Sequence, residues 1–227
     1  MWIKICGNTT LEDAQHAVAC GADAVGFVFA PSPRRVTTDV AARIIARLPS
    51  TIEKYGVFVD EQFDEIVAAV SDCSLTGVQL HSDSDVASRL KRHFSEGPGV
   101  TRLKILRVLH YGPQIETKLD ALQQDRAIDA VLVDTKTANA VGGTGVSFDW
   151  QGASRSFFRV APHLRLIAAG GLKPENVAEA IATLQPWGVD VASGVEASPG
   201  RKDAARLKQF IMLARTAAAE LLKPTEA

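Results

Sequence analysis

Cysteine is scarce in this chain. The 227 residues include three cysteines, Cys6, Cys20 and Cys73. An odd and sparse set of thiols excludes the disulfide framework of a small secreted domain and favours reduced thiols in a cytoplasm-like compartment. Cys20 lies beside Gly21 at the predicted end of a helix, and Cys73 lies between a helix and a strand. Both are therefore predicted to be structural.

Long apolar runs and an excess of basic charge are also lacking. No stretch reaches the roughly 18 apolar residues that a membrane-spanning helix needs. The N-terminus enters a strand that carries Lys4, without the apolar core of a secretory signal. The net charge is -1 and the basic residues are spread along the chain, which argues against a nucleic-acid partner. No His, Cys and Asp cluster has metal-ligand spacing, so no metal is predicted.

Apolar, β-branched runs alternate with amphipathic segments from one end of the chain to the other. The predicted strands are Ile3–Cys6, Ala24–Phe29, Tyr55–Val59, Gly77–Leu80, Leu103–Val108, Ala130–Asp134, Leu166–Ala169 and Val189–Ala192. The predicted helices are Leu11–Cys20, Asp39–Leu48, Gln62–Val70, Asp83–His93, Gln114–Gln123, Pro174–Leu184 and Lys202–Leu222, with a further short helix at Trp150–Arg159. Such continuous apolar strands are typical of a parallel sheet that is buried on both faces.

This alternation predicts an α/β fold of the TIM (β/α)8 barrel type. Eight β–α units in about 220 residues fit a barrel better than an open sheet. An open sheet would place a glycine-rich turn after the first strand, where this chain has only Gly7, and most glycine pairs come late in the chain. No change in composition marks a boundary. We therefore expect one domain over residues 1–222 and a short, frayed tail at 223–227.

Polar residues follow the predicted strands at the end where a TIM barrel builds its active site. In chain order they are Cys6, Arg34, Arg35, Asp60, His81, Asp134, Gly170, Gly171, Ser193 and Gly194. Cys6 could act as a base, Asp134 as an acid and Arg35 as a clamp for an anion. The sequence leaves alternatives open, namely a buried structural cysteine, a helix-capping carboxylate and a solvated arginine pair. For His81 a lining or structural role is favoured over catalysis.

Two glycine turns after the seventh and eighth strands predict a phosphate site. Gly170-Gly171 precedes a helix that opens near Pro174, and Ser193-Gly194 follows the last strand. Glycine lets backbone N–H groups approach an anion, and a helix N-terminus adds a favourable dipole. The turn after the third strand, Val59-Asp60-Glu61, has no glycine and two acids, so one phosphate is predicted and not two. The stretch Gly142–Gly145 has no helical pattern and predicts a mobile flap over the site.

Several motifs, taken together and in order, carry a family resemblance. They are Lys4–Thr9, Asp23–Phe29, Ser32–Arg35, Gly77–His81, Leu132–Thr135, Gly142–Gly145, Ala169–Val177 and Val189–Glu196. With them the chain resembles the phosphoribosylanthranilate isomerases from its first strand to its last helix. It departs from the family at Ala169 and Ala192, where serine is common, and at Asn8, where an apolar residue is common. The first two changes keep the glycines of the phosphate turns.

The resemblance implies a step of tryptophan biosynthesis, an Amadori rearrangement of N-(5-phosphoribosyl)anthranilate without any cofactor. It implies that Cys6 is the base and Asp134 the acid, and that Arg35 holds the anthranilate carboxylate. It further implies substrate contacts at Asp190, His81, Gly143, Gly170, Gly171, Ser193 and Gly194. A free thiol is mostly protonated at neutral pH, so we expect Cys6 to be made more acidic, with Lys4 below it as one charge that could do so.

Two other functions compete with this one. The sister isomerase of histidine biosynthesis performs the same rearrangement on a bis-phosphorylated substrate, but it resembles a repeated half-barrel and has an aspartate where Cys6 stands. A non-catalytic phosphate-binding barrel is the second alternative. We expect a phosphorylated small molecule as the only partner, with no nucleic acid and no membrane, in a cytoplasmic monomer or homodimer.

Overall fold

The structure, a computed structural model, describes residues 1–82, 85–95, 102–134, 154 and 164–222. Eight strands form a closed barrel in chain order, each parallel to the next, and the last strand pairs with the first. They are β1 Trp2–Ile5, β2 Ala24–Val28, β3 Glu53–Phe58, β4 Gly77–Leu80, β5 Lys104–His110, β6 Ala130–Asp134, β7 Leu166–Ala169 and β8 Gly188–Val191. The prediction of a single-domain TIM barrel is confirmed.

The described part of the chain contains seven α-helices, which surround the barrel. They are α1 Leu11–Ala19, α2 Thr38–Ile45, α3 Phe63–Cys73, α4 Val86–His93, α5 Ile115–Gln123, α6 Val177–Leu184 and α7 Ala204–Leu221. Thr10 caps the first helix, since its hydroxyl accepts a hydrogen bond from the Asp13 backbone N–H at 3.2 Å. Acidic Glu12 and Asp13 lie in that first turn, where they suit the helix dipole.

Alternation along the strands divides the core into two layers. Outward side chains such as Ile3 and Ile5 pack against the helices. Inward side chains, among them Trp2, Tyr55 and Leu132, form a separate cluster inside the barrel. Because side chains of one strand alternate between its faces, Lys4 and then Cys6 follow Trp2 on the inner face of β1. From the bottom of the barrel toward its mouth, the inner face of β1 therefore presents the indole of Trp2, the buried ammonium group of Lys4 and the thiol of Cys6.

A short hairpin after the last barrel strand is absent from the sequence prediction. β9 Glu196–Ser198 and β10 Arg201–Lys202 pair antiparallel across Pro199-Gly200. The last helix was predicted to begin at Lys202, but Lys202 belongs to the hairpin. The helix begins at Ala204, because the Asp203 carboxylate accepts bonds from the backbone N–H groups of Ala205 and Arg206, both at 2.9 Å. The Pro199-Gly200 pair is a turn signal from which this hairpin could have been predicted.

Other predicted bounds differ by a few residues. α2 ends at Ile45 and not at Leu48, and β3 begins at Glu53. α6 begins at Val177 because the residues from Pro174 form turns first. The predicted flap with Gly143, the tail at 223–227 and, except for residue 154, the predicted helix at 150–159 lie outside the described residues.

Candidate active site

The carboxyl ends of four strands and their following loops line one pocket at the mouth of the barrel. Its lining residues are Gln79, His81, Leu132, Asp134, Ala169, Gly170, Gly171, Leu172, Asp190, Val191, Ala192, Ser193 and Gly194. Parallel strands bring their carboxyl ends to one edge, which is why residues so distant in sequence meet here. Seven residues that the sequence singled out share this pocket: His81, Asp134, Gly170, Gly171, Asp190, Ser193 and Gly194.

Cys6 directly follows β1 at the same mouth and is 6% exposed. Its backbone N–H donates to Val191 at 2.8 Å, and its carbonyl accepts from the Lys202 ammonium at 2.5 Å. Burial raises the pKa of the Cys6 thiol; the positive charges of Lys4 and Lys202 work in the opposite direction. The net pKa lies above the ordinary value, so the expectation of a more acidic thiol is wrong for this structure. Desolvation, which the sequence does not display, and the negative charge of Asp190 together outweigh both cations.

Lys4 is completely buried beneath the mouth and is held by polar partners. Its Nζ donates to Asp190 Oδ1 at 2.7 Å and to Gln79 Oε1 at 2.8 Å. Burial disfavours the ammonium group, but Asp190 and Cys6 together outweigh burial and raise the pKa of Lys4. The Lys4 side chain is therefore charged at neutral pH.

His81 continues this buried chain of hydrogen bonds. The Gln79 amide nitrogen donates to His81 Nε2 at 3.2 Å, which requires that this ring nitrogen carry no proton. Burial, followed by the nearby His110, lowers the pKa of His81. His81 is thus a neutral residue of the pocket wall at neutral pH.

Arg34 and Arg35, equivalent in the sequence, have different roles in the structure. Arg34 forms a bidentate ion pair with Glu196, through Nε at 2.8 Å and a terminal nitrogen at 2.6 Å. Arg35 is exposed, and its backbone N–H donates to the Ser32 carbonyl at 3.0 Å. Arg35 is thus the more exposed of the two residues, and Arg34 is the one that Glu196 binds.

Glu196 also binds Lys202, which sequence reasoning missed. Lys202 Nζ donates to Glu196 Oε1 at 3.1 Å and to the Ala192 carbonyl at 3.2 Å, in addition to the Cys6 carbonyl. Burial alone would raise the pKa of Glu196, but hydrogen bonds from Arg34 and Lys202 bring it below its ordinary value. This ion cluster, defined as Arg34, Glu196 and Lys202, joins the loops after β1, β2 and β8.

The two glycine turns lie against each other. Gly170 and Gly171 adopt positive φ angles of 82° and 69°, a conformation that glycine favours. A Cβ atom at Gly194 would lie 1.8 Å from the carbonyl oxygen of Leu172, so only glycine fits there. The Asn176 side chain accepts from the Lys173 N–H and donates to the Gly171 carbonyl, which fixes the first turn just before α6. The backbone of both turns lines the pocket, as the prediction of a phosphate site requires.

The turn after β3 differs from the two glycine turns, because it contains acids in place of glycine. The Glu61 carboxylate accepts from the Val59 backbone N–H at 2.6 Å, and Asp60 is exposed. A backbone donor that an anion would need is therefore occupied by the chain's own acid.

Across the described ranges, no group of three or more His, Cys, Asp or Glu residues could hold a metal ion. Of the helices that the structure describes, none is long and apolar enough to cross a membrane.

Comparison with known proteins supports one family. Residues 3–212 match the family model described as N-(5′-phosphoribosyl)anthranilate (PRA) isomerase. The N-(5′-phosphoribosyl)anthranilate isomerase of Geobacter sp. (strain M21) is 41% identical over 215 residues, which cover 94% of this chain and 97% of that protein.

Solved structures of similar proteins support the same family. A phosphoribosyl anthranilate isomerase in complex with reduced 1-(o-carboxyphenylamino)-1-deoxyribulose 5-phosphate is 36% identical, with a TM-score of 0.76 over 95% of this chain and 99% of the other. Monomers generated from the dimeric Thermotoga maritima isomerase are 37% identical, with a TM-score of 0.77 over the same shares.

Proposed function

Because this chain belongs to the N-(5′-phosphoribosyl)anthranilate isomerase family, we propose that Cys6 is its catalytic base and Asp134 its catalytic acid. The enzyme is an isomerase of tryptophan biosynthesis that converts N-(5-phosphoribosyl)anthranilate into 1-(2-carboxyphenylamino)-1-deoxyribulose 5-phosphate. The observation that carries the assignment is the meeting of Asp134, Asp190 and both glycine turns in one pocket, with Cys6 at the same mouth.

Ring opening needs an acid. In its carboxylic form Asp134 gives its proton to the furanose oxygen while the bond from C1 to that oxygen breaks, and the electron pair goes to oxygen. The nitrogen lone pair forms a C1–N double bond, which gives a protonated Schiff base. Asp134 ends β6 and lines the pocket, so its carboxyl group faces the space that the substrate would fill.

The rearrangement then needs a base. The thiolate of Cys6 takes the proton from C2, the C2–H electron pair becomes a C1–C2 double bond, and the π electrons of C1–N return to nitrogen. The resulting enolamine becomes the ketone when its hydroxyl loses a proton and C1 gains one. No redox partner is needed, because substrate and product are isomers.

The residues that bind the substrate surround the proposed acid Asp134 and the proposed base Cys6. We assign the phosphate to the backbone of the turns at Gly170-Gly171 and Ser193-Gly194, and the anthranilate carboxylate to Arg35. Asp190 and His81 face the sugar, and Gly143, outside the described residues, is assigned to the substrate as well. Support for Arg35 comes from the engagement of its neighbour Arg34 by Glu196.

A fluorescence assay tests this function. Freshly made phosphoribosylanthranilate should lose its anthranilate emission when the protein is added, and the product should have the mass of the substrate. Retained emission with the folded protein would favour the non-catalytic phosphate-binding barrel. The histidine-pathway alternative receives no support from the turn after β3, where Glu61 occupies the Val59 N–H.

We also propose that the enzyme acts in the cytoplasm as a monomer or homodimer. The support is its three free thiols and, for the dimer, the assembly of the Thermotoga maritima relative. Analytical ultracentrifugation at working concentrations separates the two assemblies, and cell fractionation tests the compartment.

A further inference from the structure

We propose that Lys4 is a positioning residue for Cys6, and that its buried ammonium group is the charge that makes the Cys6 thiolate attainable. The inference rests on the proposed role of Cys6 as the base. It adds a residue, in the wall of the barrel and out of contact with solvent, on which the base depends.

The contacts hold the Lys4 ammonium group on the inner face of β1, the face that also carries Cys6. It donates to Asp190 Oδ1 at 2.7 Å and to Gln79 Oε1 at 2.8 Å, and it interacts electrostatically with Cys6. β2 leaves room for this arrangement, since a Cβ atom at Gly26 would lie 2.8 Å from Cys6 Sγ and 3.2 Å from Lys4 Nζ. With two hydrogen-bonded partners and no exposed surface, the ammonium group is held in one position, and both it and the Cys6 sulfur atom border the same Cβ position of Gly26.

The charges around Cys6 show why the ammonium group matters. Among the described residues, the charged groups that act on Cys6 are Lys4 from β1, Asp190 from β8, Lys202 and Arg34. Glu196 binds the last two and completes the set. With both acids ionised and all three bases protonated, this set has one surplus positive charge while Cys6 is a thiol. The thiolate makes the set neutral. Without Lys4 the thiolate would be an uncompensated charge in a buried space, which proteins avoid.

Asp190 has the opposite effect on the sulfur. Its carboxylate keeps Lys4 protonated and in place, yet its negative charge opposes ionisation of Cys6. The two neighbours can therefore be separated by experiment, because removing them changes the net charge of the set in opposite directions. Loss of packing alone would not produce opposite signs.

The test is the pH dependence of Cys6 alkylation by iodoacetamide, followed by mass spectrometry of the peptide that contains Cys6. Only the thiolate reacts, so the midpoint reports the thiol pKa without any substrate. We expect Lys4→Met to raise the midpoint by about 1–3 pH units and Asp190→Asn to lower it. Lys54→Met is the matched control, because Lys54 is also buried but its ammonium group binds the carbonyls of Pro49 and Ser50.

A double variant covers the case in which Lys4→Met alone does not fold. Lys4→Met with Asp190→Asn removes both buried charges, and its midpoint should lie above that of Asp190→Asn alone. An unchanged midpoint in Lys4→Met, a shift of both single variants in one direction, or a double variant equal to Asp190→Asn would each overturn the inference.

Turnover separates this inference from the proposed function. The pH at which kcat rises should move upward in Lys4→Met together with the alkylation midpoint. If the midpoint moved while the pH profile of kcat did not, Lys4 would still control the thiol, and it is the role of Cys6 as base that would fail.

Discussion

At the scale of single residues, the proposed binding of the substrate carboxylate depends on which of two adjacent arginines already forms an ion pair within the protein. Arg34 and Arg35 are adjacent and chemically identical, yet only the structure shows that Glu196 binds Arg34 through both of its oxygens. A guanidinium group that forms a bidentate pair has few donors left for a second carboxylate. The surface position of Arg35 leaves it available to an incoming anion.

The first prediction concerns the proposed base, Cys6, and the proposed acid, Asp134. Cys6→Ala and Asp134→Asn should each lower kcat by about 10²–10⁴-fold or more while KM changes little, because each removes a proton transfer and leaves the binding groups in place. Steady-state kinetics with the fluorescence assay measures both parameters. Cys20→Ala, at a partly exposed cysteine away from the mouth, is the control. Near-normal turnover of either variant would remove that residue from the mechanism.

The second prediction concerns the two glycine turns, to which we assign the phosphate. Gly194→Ala should raise KM by about 10–100-fold, since its Cβ must push the turn away from Leu172 and so weaken charge-assisted hydrogen bonds to phosphate. Inorganic phosphate should inhibit the wild-type enzyme competitively and the variant more weakly. Gly112→Ala is the control, because a Cβ there meets nothing within 4 Å. A folded Gly194→Ala protein with unchanged KM would place the phosphate elsewhere.

At the scale of secondary-structure elements, the short hairpin β9–β10 does more than connect β8 to α7. It carries Glu196 and Lys202, whose side chains are 4% and 1% exposed and bind each other. Through Arg34 and the Cys6 carbonyl, the same pair reaches the loops after β2 and β1. The ion cluster thus connects three loops of the mouth beside the glycine turn at Ser193-Gly194.

The third prediction follows from the charge of Glu196. Its pKa is lowered in the folded protein, so its contribution to stability is present above its ordinary pKa and is lost as pH falls through the lower, folded value. Glu196→Gln should reduce the free energy of unfolding by about 3 kcal/mol at pH 7, because it leaves buried Lys202 without its carboxylate. The difference between variant and wild type should shrink on acidification.

Urea denaturation at pH 7 and at pH 4 measures this difference. Glu220→Gln, on the exposed face of α7, is the control and should differ little from the wild type at either pH. A Glu196→Gln protein as stable as the wild type at pH 7 would show that the ion cluster does not stabilise the fold.

The strands could be predicted from the sequence and the hairpin's partners could not. Each barrel strand is a local apolar run, and parallel packing alone brings its last residue to the mouth. The partners of Glu196 come from 162 positions earlier and 6 positions later in the chain, and no local pattern relates Arg34 to Glu196. The ionisation of Cys6 was misjudged for a similar reason, since burial, set by the whole barrel, outweighs the lysine that the sequence displays on the same strand face.

At the scale of the whole molecule, the mouth is unequal on its two sides. The side of β7 and β8 offers glycine turns, and the side of β3 offers Asp60 and Glu61 with a backbone donor already taken. A second phosphate near those carboxylates, at about 4–6 Å, would meet a repulsion on the order of 3 kcal/mol for each contact. The barrel therefore suits a substrate with one phosphate. Its extent as a domain over residues 1–222 stays a prediction.

The fourth prediction is a test of this asymmetry in cells. The chain should allow a bacterial strain that lacks phosphoribosylanthranilate isomerase to grow without tryptophan. It should not allow a strain that lacks the histidine-pathway isomerase to grow without histidine. The Cys6→Ala protein, expressed at the same level, is the control in the first strain. Growth of both strains would mean that one phosphate site accepts both substrates.

The pairing of β1 with β8 has a consequence for how the protein is made. Lys4 meets Asp190, which lies 186 residues further along the chain, and Arg215 binds the Met1 carbonyl. At about 5–20 residues per second, a ribosome needs roughly 10–40 s between these partners. During that time the first strand has no partner on one edge and its lysine has no carboxylate. β1 is thus synthesised before the other barrel strands, but its second edge is covered only after β8 has been synthesised.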